Sequence, residues 1–161
     1  MARSVLIAAL SLWAVGSTHA ADVVPCASAR GVERRAAASL FYKDLATRLG
    51  KPLTCKAEMD GRRTTITYAF RQGARLIAII DPAAELTEQR IEGLEMDRAK
   101  AVALLKRSER DSYRPRGCGI EWSKPDEESG EVVYRGDTCN CQARLTIKSK
   151  TVVALVLRSA C

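Results

Sequence analysis

The chain reads as a small exported α+β protein: two helices packed on antiparallel sheet and stapled by disulfides. Three observations carry that expectation. An apolar N-terminal run ends in a small-residue cleavage pattern. All six cysteines lie beyond that pattern, while the one histidine, His19, lies within it. Beyond it, helix-periodic stretches alternate with short β-branched stretches bounded by turn residues.

Met1-Ala2-Arg3-Ser4 precedes the apolar run Val5 to Val15, and Gly16-Ser17-Thr18-His19-Ala20 supplies small residues for a peptidase cut after Ala20. A membrane span needs about 20 apolar residues, more than this run offers. Residues 1–20 therefore read as a cleaved signal peptide and 21–161 as a single disulfide-bonded domain, with no integral membrane anchor. Cys26 lies too far beyond the apolar run to carry a lipid anchor. The expected location is the periplasm or the medium, and the abundance of arginine and alanine points to a bacterial source.

Gly31 to Leu49 places Val32, Ala36, Leu40, Phe41, Leu45 and Leu49 at helical spacing with charged residues between them. That predicts one amphipathic helix, ended by Gly50 and Pro52. Asp60-Gly61 is a turn. Thr64 to Arg71 and Arg75 to Asp81 are rich in β-branched and apolar residues around Gln72-Gly73, a hairpin pattern, and Leu86 to Leu94 predicts a third strand. Asp97 is placed to cap a second helix reaching Ser108, with Ala101, Leu104, Leu105 and Ser108 on one stripe and a break at Arg114-Pro115. Strands are expected at Cys118 to Trp122, Glu131 to Arg135, Cys139 to Ile147 and Thr151 to Arg158. The last two form a hairpin across Lys148-Ser149-Lys150, and Lys124 to Gly130 reads as an exposed acidic loop.

The two halves look alike. Lys51-Pro52-Leu53-Thr54-Cys55 and Arg114-Pro115-Arg116-Gly117-Cys118 share a basic-Pro-x-x-Cys pattern after a helix, and Gln72 to Leu76 loosely echoes Gln142 to Leu145. The alternatives are a degenerate duplication of an α-β-β-β unit, with repeat halves 26–94 and 95–161, or the coincidence of two short motifs.

Cys26, Cys55, Cys118, Cys139, Cys141 and Cys161 are an even set in an oxidising compartment, so three disulfides are expected. Antiparallel pairing about Ser149 favours Cys139 with Cys161. Cys141 is then left to Cys118, and Cys26 and Cys55 clamp the two ends of the first helix. Cys139-Asn140-Cys141 would otherwise be a redox couple, but reactive cysteines need a lowered thiol pKa, and a strand-like setting does not supply it.

Losing His19 with the leader removes the commonest general base and zinc ligand, and the cysteines lack paired C-x-x-C knuckles. No metal, cofactor or phosphate-binding glycine loop is expected. Ser123-Lys124 and Ser149-Lys150 are only formal nucleophile pairs. Carboxylate chemistry is the remaining acid–base option, with Glu58, Asp60, Asp81, Glu85, Glu121 and Asp137 at strand ends, but no spacing singles out two of them.

The net charge is +7, of which Arg3 in the leader accounts for one. The cations are spread over Arg30, Arg34 and Arg35, Arg62 and Arg63, Arg71 and Arg75, and most densely Lys106, Arg107, Arg110, Arg114 and Arg116. Such a cluster suits an anionic partner, or simply the C-terminal end of a helix dipole. Nucleic acid is not expected, because aromatics for base stacking are few and not interleaved with the cations. Trp122 and Tyr134, on neighbouring expected strands, are cross-strand core partners or, if exposed, contact hot spots.

The plan of helices followed by strands in two halves, with disulfides, resembles that of the β-lactamase inhibitory proteins in architecture, without a shared motif. The expectation is a non-enzymatic periplasmic or secreted binding protein, of inhibitor or immunity type, acting on a cell-envelope protein with an acidic surface. The alternatives are a small carboxylate-dependent envelope hydrolase and a basic accessory protein binding an anionic envelope component.

Overall fold

Alternation builds the centre of the sheet. In the computed structural model, which describes residues 22–83, 85–112, 119–122, 129–136 and 141–158, Ile66 and Tyr68 are buried along β3 (Thr64–Ala69), as are Leu76, Ala78 and Ile80 along β4 (Arg75–Ile80). The two strands pair with Tyr68 opposite Leu76 and Ile66 opposite Ala78, so these side chains share one face. β5 (Leu86–Met96) continues the meander and adds Ile91 and Gln89 to that face. β7 (Gln142–Lys148) and β8 (Thr151–Arg158) form the second hairpin, with Ala143, Leu145, Ile147, Val152, Leu155 and Leu157 buried. Ser149 and Lys150 make its two-residue turn, both at positive φ (50° and 67°).

With β1 (Asp22–Pro25), β2 (Thr54–Met59) and β6 (Gly130–Arg135), the strands form one eight-stranded antiparallel sheet in the order β1-β2-β3-β4-β5-β8-β7-β6. The junction of the two meanders is β5 against β8, with Ile91 opposite Leu155 and Gln89 opposite Leu157. β5 bulges near Gly93, whose φ of +70° and close approach to the Gly73 carbonyl both require glycine.

The helices lie on the buried face of this sheet. α1 (Arg30–Ala38) packs on β3, α3 (Arg98–Ser112) packs on β8 and β5, and α2 (Leu40–Leu49) packs on both α1 and α3. Ala36, Phe41, Leu45, Ala101, Leu104 and Leu105 close the core from that side. The Tyr68 hydroxyl donates to Glu33 Oε1 at 3.0 Å, tying β3 to α1. Burial, first, and then Glu33 push this phenol above the ordinary tyrosine range.

Three expectations need correction. The single helix over Gly31 to Leu49 is two, so the described residues hold three α-helices. Ser39 has extended geometry (φ −64°, ψ 151°), and its hydroxyl accepts the Tyr42 N–H as the N-cap of α2. Capping at Ser39 outweighs the continuous apolar period. The expected strand Cys118 to Trp122 is, among its described residues, only a bridge between Ile120 and Gly136, extended by the Glu121 N–H to the Arg135 carbonyl. Finally, β1 and β2 were not separately expected.

The duplication is not established. Among the described residues, two helices and four strands follow the first 3-10 turn (Cys26–Ala29) in the first half, against one helix and three strands in the second. Tyr68 faces Leu76 while Tyr134 faces Ala143, so matching the tyrosines sets the two Arg-Leu echoes two residues out of step.

Cys26 and Cys55 are bridged, the pairing expected, with Cα atoms 5.5 Å apart; the bridge fastens the entry to α1 onto β2. Cys141 is also disulfide-bonded. Cys118, Cys139 and Cys161, and with them the expected pairings Cys139–Cys161 and Cys118–Cys141, lie outside the described residues.

Candidate functional site

α3 is positioned by its cap and its stripe. Asp97 Oδ1 accepts the Lys100 N–H at 2.8 Å, and the backbone donors of the first turn hold this exposed carboxyl below its ordinary range. Ala101, Leu104, Leu105 and Ser108 face the sheet, as the sequence implies. Turned from the core are Ala99, Ala103, Lys106, Arg107 and Arg110, all exposed. Along one flank of the helix, Arg98, Val102 and Lys106 recur at intervals of four residues, one above the next.

That flank faces two aromatic side chains. The Trp122 and Tyr134 rings meet at 5.2 Å between centroids with an interplanar angle of 39°. Lys106 Nζ stands 5.8 Å from the centroid of the Trp122 ring, within cation–π range. At the other end, Arg98 Nη2 donates to Tyr134 Oη at 3.4 Å. Between helix and aromatics runs a groove of about 530 Å³ lined by Arg98, Ala99, Val102, Ala103, Lys106, Trp122 and Tyr134. Its described lining is apolar in the middle, cationic at both ends and without a carboxylate.

Of the residues singled out from sequence, Trp122, Tyr134 and Lys106 are thus brought together. Tyr134 is buried, 2 % exposed, and supplies wall and hydroxyl, whereas Trp122 is partly exposed. Arg107 and Arg110 lie on α3 outside the groove lining and, with Lys106, form no ion pair among the described residues. Arg114 and Arg116 lie outside the described residues. The other cations do not join this cluster: Arg63 pairs with Asp60, Arg75 with Glu92, and Arg34 and Arg35 are exposed on α1.

Sequence reasoning missed Arg98, Val102 and the two alanines. The signal was available as the cation-apolar-cation recurrence at four-residue spacing, off the core stripe of a helix already expected.

The carboxylates behave as structural groups. Asp60 accepts the N–H groups of Arg62 and Arg63 at 2.9 and 2.8 Å, bonds that hold its pKa below the ordinary value, and Asp81 Oδ1 accepts the Glu85 N–H at 2.8 Å. A general acid needs the opposite shift. Glu58 sits on the exposed side of β2, Glu121 is exposed next to Trp122, and Asp137 lies outside the described residues. Among the described residues no three His, Cys, Asp or Glu side chains cluster as metal ligands would.

The helix-free face of the sheet is the other extended surface. Its centre is a ladder of ion pairs, Arg75 with Glu92, Glu92 with Arg90, Arg90 with Glu88 and Glu88 with Arg158. Ile77, Ile79, Val133 and Val156 lie between the charges, half-buried. No aromatic side chain from the described strands points to this side, and Arg75, Arg90, Arg144 and Arg158 are ion-paired within the face, so it lacks the aromatic anchors of an interface.

The chain matches no protein family model, no curated protein and no solved structure. The likeness of plan to the β-lactamase inhibitory proteins accordingly carries no argument.

Proposed function

We propose that the protein is a non-enzymatic binding protein of the periplasm or the medium, an inhibitor or immunity-type protein that acts on a cell-envelope protein. It grips that partner in the groove between α3 and Trp122. The observation that carries this reading is the convergence of Lys106, Arg98, Trp122 and Tyr134, drawn from three separate parts of the chain, on one groove. Trp, Tyr and Arg are the residue types that carry most binding energy at protein interfaces, and a disulfide-clamped scaffold holds them with little ordering cost. The Cys26–Cys55 bridge supports an oxidising compartment, and no helix among the described residues is long and apolar enough to cross a membrane.

The test is affinity capture from envelope and secreted fractions with oxidised residues 21–161 as bait. A single stoichiometric protein retained at moderate salt, whose activity the bait suppresses, is the expected result. Retention of glycan or lipid alone contradicts it.

A second reading, a basic accessory protein for an anionic envelope component, is favoured by the exposed cations Lys106, Arg107 and Arg110, which form no ion pair among the described residues. Its binding would fall steeply between low and physiological salt, because exposed charges are screened over about 10 Å at 0.1 M. A packed protein interface would change little.

A further inference from the structure

We infer that the exposed face of α1 docks the protein on an anionic phospholipid surface through Arg30, Arg34 and Arg35. This face is separate from the groove, and it adds to the proposed function a place of work, the headgroup layer of a membrane.

The warrant begins with the distribution of charge. α1, α2 and α3 carry net charges of +2, +1 and +3. Together these equal the whole net charge of +7 once Arg3 of the leader is set aside, so the strands and loops balance. The helices lie on one face of the sheet, whereas the arginines at the centre of the opposite face are paired with Glu88 and Glu92. The molecule is therefore polarised, and an anionic surface turns the helical side toward itself.

On α1 the arginines share one face. Arg30, Arg34 and Ala38 recur one turn apart, about 6 Å at 1.5 Å per residue, with Gly31 and Arg35 in the neighbouring row, and all five are exposed. None of the three arginines forms an ion pair among the described residues. The helix's one carboxylate is turned away from them. Glu33, three residues from Arg30 and within its reach on a free helix, accepts the Tyr68 hydroxyl at 3.0 Å on the sheet side. Tyr68 is buried in the core and holds Glu33 there. The Cys26–Cys55 bridge fastens the turn before Arg30, so the three guanidinium groups stand on an anchored helix.

The surroundings decide the class of partner. Ala27, Ser28, Gly31 and Ala38, the other exposed residues of α1 and of the turn before it, are small. They leave the guanidinium groups above a flat face, with no aromatic or bulky apolar side chain to enter a pocket on a protein. Single-stranded nucleic acid needs stacking aromatics, which this face also lacks. A headgroup layer needs neither, because its phosphates move to meet guanidinium groups, which bind them in bidentate fashion. α1 lies over β3, while Tyr134 of the groove stands on β6, five strand spacings away, about 24 Å at 4.8 Å each. A membrane and a partner in the groove can be held at the same time.

The probes are vesicles of phosphatidylcholine alone and of phosphatidylcholine mixed with phosphatidylglycerol, with polyglutamate and a duplex oligonucleotide as alternative anions. Binding of oxidised residues 21–161 is read by vesicle sedimentation at low salt, and is expected with the mixed vesicles but not with phosphatidylcholine alone. Each cation at an anionic surface contributes about fivefold, so Arg30→Gln/Arg34→Gln/Arg35→Gln should weaken binding on the order of 100-fold. Arg62→Gln/Arg71→Gln/Lys148→Gln removes the same charge from exposed positions outside the three α-helices and should weaken it less than about fivefold. Glutamine preserves helix propensity, and circular dichroism checks that each variant is folded. No binding to the mixed vesicles, equal weakening by the two triple variants, or binding that depends on the α1 arginines only with polyglutamate or the duplex overturns the inference. None of these results touches the groove, where Trp122-dependent capture of a protein partner is read separately.

Discussion

Removing the Cys26–Cys55 bridge isolates one element of the scaffold that holds the site. The bridge joins the turn entering α1 to β2 and closes a loop with a sequence separation of 29. In the loop-entropy relation a loop of that length restricts the denatured chain by about 12 cal/mol/K, about 3.6 kcal/mol at 25 °C. Substituting alanine at both positions removes only the two sulfur atoms; Cys55 is partly buried, and the small void left at the buried Cys26 adds to this loss rather than offsetting it. For a chain of this length each kcal/mol moves the melting temperature by about 3–4 °C, so the double variant Cys26→Ala/Cys55→Ala should melt about 10–15 °C lower. The assay is thermal unfolding by circular dichroism under non-reducing conditions, with the remaining cysteines confirmed oxidised by thiol counting. A shift below about 3 °C would refute the reasoning, because the denatured chain would then hold these segments together without the bridge.

Three further outcomes follow from backbone geometry and electrostatics. Gly93→Ala places a Cβ 2.5 Å from the Gly73 carbonyl oxygen at a φ of +70°, so β5 or the turn Arg71–Gly73 must shift; a loss of at least about 2 kcal/mol is expected in urea unfolding. Ser149 and Lys150 both sit at positive φ in a two-residue hairpin turn, a geometry that favours Asn-Gly, and the pair Ser149→Asn/Lys150→Gly should stabilise the protein by about 1 kcal/mol in the same assay. Asp97 caps α3 with a carboxyl pKa held below its reference value of 3.8, so its contribution is fully present above that pH and is lost as pH falls through the lowered folded value. Measured by thermal unfolding from pH 7 to 2, the gap between wild type and Asp97→Ala should hold steady above about pH 5 and narrow below 3.8. A constant gap would mean that the ionised carboxylate is not what caps the helix.

The parts of the fold legible in the sequence are those whose local pattern and tertiary environment agree. Thr151–Arg158 is the strand expected, because alternation and a turn at Ser149 act together. Asp97 begins α3 as its residue type implies, although the helix runs on to Ser112, beyond the expected end at Ser108. β2 was illegible for a physical reason: Ala57 is its only fully buried residue, so an edge strand of mostly exposed side chains carries no hydrophobic period. Ser39 shows the reverse case, a polar residue inside a good apolar period whose capping bond ends one helix and begins another. At the site, Trp122, Tyr134 and Lys106 stood out by residue type, but that they meet depends on β6 closing the far edge of the sheet and α3 crossing β8. No local pattern encodes that placement.

The groove rather than the helix-free sheet face is the claim on which the account turns. Its most direct test is parallel capture of envelope proteins by three baits: the unaltered protein, Trp122→Ala and Arg75→Ala. Arg75 lies on the ion-pair ladder of the open face, with its side chain 56 % exposed, so its loss leaves the groove untouched. Circular dichroism confirms that each bait is folded. Loss of a central aromatic anchor costs about 2 kcal/mol or more, roughly 30-fold in affinity, so the partner should be lost with Trp122→Ala and retained with Arg75→Ala. Retention with Trp122→Ala and loss with Arg75→Ala would contradict the account and move the binding site to the open face of the sheet.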